Sequence, residues 1–182
     1  MTNISPQQFK DAFLQVVAKE QPEFIKRWDA KKDYTQFMRV TILPAIAPLL
    51  GIQVYSGDYY TLDCIYYTLK DTEHFGNPQA TYATHISIAL EHENDIRGSF
   101  TEMNKLQLFN APLKVLITYC QDESGRAFYL EHYKKILQAG DIFGDFATLR
   151  RHLVIFGSRQ EMVANWHFYV YESSGFQELP VA

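Results

Sequence analysis

The stretch "HISIALEHEND", His85 to Asp95, constrains the fold more than any other, because it starts as a hydrophobic strand and finishes in acids. Ile86, Ile88 and Leu90 alternate with His85, Ser87 and Ala89, which is the period-two pattern of a strand. The same register carries Glu91 and Glu93 onto the face of the small residues, just past a close-packed interior. Two readings follow: a solvated strand end, or half of a metal site.

The chain around this stretch has 182 residues, 47% of them hydrophobic and 15% aromatic, enough to bury one substantial core. Seventeen basic against 21 acidic side chains leave a net charge of -4, so any contact with nucleic acid or anionic lipid needs a local basic patch. Cys64 and Cys120 are the only cysteines and stand in apolar, strand-like stretches, which suits buried thiols in a reducing compartment. The N-terminus lacks the pattern of a secretory signal, and the apolar run "VTILPAIAPLLGI" is broken by Pro44 and Pro48 and too short to span a bilayer. A cytoplasmic protein without a membrane partner is expected.

Ser5-Pro6 reads as a helix start, with Phe9, Ala12, Phe13, Val16 and Val17 at helical spacing to about Glu20. A second helix is expected after Pro22 and a third from Tyr34 to Leu50, ended by Gly51. A hairpin follows, with a strand over Ile52 to Tyr55, a turn at Ser56-Gly57-Asp58 and a long strand from Tyr59 to Leu69. The polar segment "DTEHFGNPQA" leads to the acid-tipped strand, and a short helix carrying Met103, Leu106 and Phe109 runs up to Pro112. "PLKVLITYC" has the continuous apolar character of a doubly covered strand, "ESGRAFYLEHYKKILQAG" is an amphipathic helix, and "RHLVIFGS" and "WHFYVYES" close the chain as strands. The order predicts a single α/β domain over 1–182: a mixed central sheet flanked by helices, with N-terminal helices over 5–50 packed on a core over 51–179.

Within the hairpin strand "YYTLDCIYY", Asp63 is an isolated acid among apolar residues. Burial without a partner would be costly, so it is expected to be hydrogen-bonded, ion-paired or liganding a cation. If this strand pairs with the next, Asp63 and Glu91 face each other. Carboxylate oxygens plus a main-chain carbonyl would then suit Mg²⁺, or Mn²⁺, which favours oxygen ligands.

Asp63, the Glu91-His92-Glu93 step and this element order resemble the core of the PD-(D/E)XK nuclease superfamily, the restriction-endonuclease-like fold. The resemblance makes Asp63 and Glu91 the two motif acids and His92 the position whose main-chain carbonyl reaches the metal. Glu93 stands where the motif has lysine, so it becomes an additional ligand or base. Lys105 in "TEMNKL" is the candidate for a lysine moved to the following helix, with Glu102 one turn before it. The function this implies is metal-dependent phosphodiester hydrolysis, with DNA as substrate. The alternative is a nuclease-like domain that no longer cuts and serves as a binding or interaction module, as a homodimer or with a protein partner.

Other chemistries find little in the residues. The six histidines show no zinc-hydrolase spacing, and neither a Gly-x-Ser-x-Gly elbow nor a Gly-rich phosphate loop occurs. Lys26, Arg27, Lys31 and Lys32 read first as a solvated helix face, and the tyrosines of the hairpin as half-buried strand residues or an interface.

Overall fold

The computed structural model describes residues 3–68, 85–160 and 163–181. Helix α1 (Pro6–Arg27) starts on a capping box: the Ser5 hydroxyl accepts from the Gln8 amide while the Gln8 side chain accepts from the Ser5 amide. It then continues through Pro22, where the sequence predicts a break. The carbonyl of Ala18, which Pro22 cannot bond, lies on an exposed face that water can satisfy. Two residues on, Phe24 is fully buried against Phe37 and Trp166, with ring centroids 5.2 and 5.6 Å away, and this packing holds the last turns in place. Helix α2 (Lys31–Phe37), a π-helical turn (Met38–Ile42) and helix α3 (Leu43–Leu50) follow without a break, ending on Gly51 at φ 66°.

Seven strands form one sheet in sequential order: β1 (Gln53–Tyr59), β2 (Leu62–Thr68), β3 (His85–His92), β4 (Leu113–Tyr119), β5 (Arg151–Gln160), β6 (Val163–Glu172) and β7 (Gly175–Leu179). The β3–β4 and β4–β5 pairs are parallel and the outer pairs antiparallel, so the sheet is mixed, as predicted. The two parallel steps are bridged by helices α4 (Ser99–Gln107) and α5 (Glu123–Gly140). Both pack on one face, where Met103, Leu106, Tyr133 and Leu137 meet Ile65, Ala89, Leu116 and Phe156. Helices α1 to α3 cover the other face, over Tyr66, Ile88, Leu90, Val115, Ile117 and Trp166. Residues Leu113 to Thr118 of β4 are buried without exception, as befits a strand covered on both sides. β7 has no counterpart in the sequence reading.

The hairpin turns elsewhere than its turn chemistry suggests. Ser56, Gly57 and Asp58 lie within β1, at an irregularity in its ladder, and a Cβ on Gly57 would fit tightly, 3.0 Å from the Arg39 guanidinium and 3.2 Å from the Tyr55 ring. The chain reverses at Tyr60-Thr61, both with positive φ (48° and 77°), the pattern of a two-residue hairpin turn made by residues that disfavour it. The predicted end of the hairpin strand at Leu69 and the whole polar connection that follows lie outside the described residues. Among the described residues no helix is long and apolar enough to cross a membrane.

Candidate functional site

The β2–β3 ladder pairs Tyr66 with Ile88, Ile65 with Ala89 and Cys64 with Leu90, so the next step in register sets Asp63 opposite Glu91. Beyond that step the Asp63 side chain takes over from the ladder: its Oδ2 accepts the His92 amide at 2.9 Å. Asp63 is half-buried and Glu91 is 2% exposed. The strand end of the sequence reading is therefore not solvated.

The third member comes from α4. Met103 and Leu106 anchor that helix on the sheet, and the flank between them presents Glu102 and Lys105, three residues apart on one side. Lys105 Nζ lies 2.8 Å from Glu91 Oε1 and 2.5 Å from Glu102 Oε2, and donates to the Thr61 carbonyl at 3.0 Å. One ammonium thus ties the hairpin turn, the end of β3 and α4 together.

Burial pushes the Glu91 carboxyl up to about 9, with the Asp63 and Glu102 charges adding to the effect and Lys105 opposing it. At neutral pH it is held largely protonated. Burial works against the Lys105 charge, yet the carboxyl groups of Glu102 and Glu91 beside it keep it above the ordinary lysine value. Glu102 is the second carboxyl partner of Lys105. Glu91 Oε1 and Glu102 Oε2 are buried, and no hydrogen bond of good geometry reaches either.

Asp63, Glu91 and Lys105, three of the predicted residues, are brought together; the others are not. Glu93 follows the last residue of β3, and its carboxylate closes a turn, Oε1 accepting from the Asp95 amide at 2.7 Å. A Cβ on Gly98 would stand 2.7 Å from Glu93 Oε2, so the turn fits around this carboxylate. Its own amide donates to Ile117, which continues the parallel pairing and carries the chain away from β2. The ring of His92 lies on the other face of the sheet, with Nε2 2.7 Å from the Tyr119 hydroxyl. Only its main chain adjoins the acids: the amide points to Asp63, and the carbonyl of a strand residue projects to the same side as its amide.

The oxygens present suit a hard cation by type: two facing carboxylates, a third nearby, and main-chain carbonyls. Among the described residues no three His, Cys, Asp or Glu side chains converge as a metal-holding group. Any Mg²⁺ here would rest on Asp63 and Glu91, with water completing its shell, which is how this ion is often held.

Glu102 was visible in the sequence only as the acid one turn before Lys105. A second polar cluster escaped it altogether. Tyr119 donates to the Tyr34 hydroxyl at 2.9 Å, which joins His92, Tyr119 and Tyr34 in one hydrogen-bonded chain beside Trp28. Among the basic side chains, Arg27 is paired with Glu23 and Arg150 with Asp145. No protein-family model matches the chain, and no curated protein matches it in sequence.

Proposed function

We propose that the chain is a metal-dependent phosphodiester hydrolase of the PD-(D/E)XK type, with a restriction-endonuclease-like core, acting on DNA. The observation that supports this most directly is the meeting of Asp63, Glu91 and Lys105 at one end of the sheet, with the lysine supplied by the helix after the acidic strand. Asp63 and Glu91 would hold Mg²⁺ or Mn²⁺. When bound, such an ion supplies Lewis acidity toward a phosphate oxygen and lowers the pKa of a bound water.

The chain's own residues have separable tasks in this reading. Lys105 places a positive charge where a phosphodiester gains negative charge as water attacks phosphorus and the P–O bond to the leaving oxygen breaks. Glu102 is a positioning residue, because its carboxylate keeps Lys105 charged and aimed at Glu91. The Thr61 carbonyl fixes the same ammonium from the hairpin side. Asp63 also organises the main chain of β3 through the His92 amide.

The test is cleavage of single- and double-stranded DNA with and without Mg²⁺, by wild type, Asp63→Ala and Glu91→Ala, with circular dichroism to check folding. Metal-dependent cleavage lost in both variants is the expected result, and cleavage retained in either overturns the assignment. One observation favours a non-catalytic binding module instead: Lys105 is already engaged by Glu91 and Glu102, and Glu93 stands where the motif has lysine. That module would bind a partner and cut no substrate.

A further inference from the structure

On the face of the sheet opposite the acids, Trp28, Tyr34 and Tyr119 form three mutually steep rings. Their centroids lie 5.5 Å apart for Trp28–Tyr34 and for Trp28–Tyr119, and 5.4 Å apart for Tyr34–Tyr119, at interplanar angles of 70°, 84° and 79°. These rings wall a cleft of about 250 Å³ whose remaining lining is Asp29, Lys31 and Asn94. We propose that this cleft binds a nucleobase, with the phosphate attached to it received by Lys31.

Among the polar groups lining the cleft, Tyr34 and Asn94 can supply a donor and an acceptor. The His92 Nε2 lies 2.7 Å from the Tyr119 hydroxyl. Tyr119 in turn donates to Tyr34. The hydrogen left over in this chain is that of the Tyr34 hydroxyl. Asn94 donates its amide N–H to the Thr35 hydroxyl, which leaves its carbonyl oxygen to accept. A donor beside an acceptor above aromatic faces matches the edge and the π-surface of a base.

Charge argues against the other guest that aromatic rings commonly hold, an organic cation. The Asp29 carboxylate is engaged by Arg159 at 2.9 Å, and Lys31 adds a positive charge to the same wall. A neutral planar ring with an anionic tail is the better complement. Arg159 also lines a second cleft of about 790 Å³ together with Arg126 and Glu178.

His92 links this cleft to the acids, since its amide donates to Asp63 and its ring ends the tyrosine chain. A strand crossing this end of the sheet would meet both, so the inference rests on the proposed function for what the bound base belongs to.

The experiment is a titration of a short single-stranded deoxyoligonucleotide carrying 2-aminopurine, read by its fluorescence, in EDTA so that no cleavage intervenes. Wild type should quench the probe on binding. Trp28→Leu should weaken binding about tenfold or more, the size of a lost stacking contact. Asn94→Ala, which removes no core packing, should weaken it by about fivefold. Absence of quenching in wild type, or unchanged affinity in Asn94→Ala, overturns the base site, as does displacement of the probe by tetramethylammonium but not by adenosine 5′-monophosphate. Quenching without cleavage under any metal would leave the base site standing and remove the nuclease assignment. Cleavage that ignores Trp28 and Asn94 would do the reverse.

Discussion

Lys105 Nζ stands 2.8 Å from Glu91 Oε1, joining a helix lysine to an acid buried at the end of a central strand. Both are carried on rigid elements, α4 and β3, so their spacing is set by the packing of Met103 and Leu106 rather than by a loop. Lys105→Met is therefore expected to leave the fold intact, at a cost of about 1 kcal/mol for the Thr61 carbonyl it abandons. It should lower kcat for cleavage by about 10² to 10⁴-fold. Thermal unfolding and single-turnover cleavage check the two halves, and Lys105→Arg should restore part of the rate because it restores the charge.

Glu91 sets a pH signature for stability without any metal present. Its folded value of about 9 exceeds the ordinary 4.5, so between these values the native state holds a proton that the unfolded state has lost. Stability then falls as pH rises through that window and levels off above it. The Glu91 contribution to the slope is at most about 1.4 kcal/mol per pH unit. Glu91→Gln, neutral throughout, should unfold at a higher temperature than wild type at pH 8 and show a smaller gap at pH 5. A gap that grows toward acid would mean that Glu91 is ionised in the native state.

The turn at Tyr60-Thr61 holds two non-glycine residues at positive φ, one of them β-branched. Tyr60 is 78% exposed, so little packing opposes its replacement. Tyr60→Asn with Thr61→Gly should stabilise the protein by about 1 kcal/mol, a rise of roughly 2–4 °C in Tm for a chain of this size. A lower Tm would show that the Tyr59–Tyr60 contact outweighs the relief of strain.

Pro22 lies inside α1 with its unmade hydrogen bond on the exposed side. Pro22→Ala restores a donor toward Ala18 and should raise stability by about 1–3 kcal/mol, measured by urea denaturation. Destabilisation would point to a bend at Pro22 that the packing of Phe24 requires.

Much of this fold can be read from the chain because its central strands are strongly patterned. β3 alternates, β4 is apolar throughout, and α4 and α5 carry clear apolar stripes between them. The hairpin turn is not legible, because Ser56-Gly57-Asp58 lies inside β1 while the chain reverses at residues with no turn chemistry. Asp63 and Glu91 stand out as acids in apolar strands, whereas Lys105 is reached only through the resemblance, as a lysine on the following helix. Glu93 misleads, because period-two alternation holds only while the strand lasts, and β3 ends at His92. The Trp28, Tyr34 and Tyr119 cluster is hidden for another reason: aromatic residues in helices and strands look like core until their hydroxyls find one another.

The central claim is that Asp63 and Glu91 form one cation site, and calorimetric titration of Mg²⁺ and Mn²⁺ into wild type and Asp63→Ala tests it most directly. Binding near one ion per chain in wild type, lost in Asp63→Ala while the variant stays folded, is the predicted result. Absence of binding in wild type, or equal binding in both proteins, would contradict it.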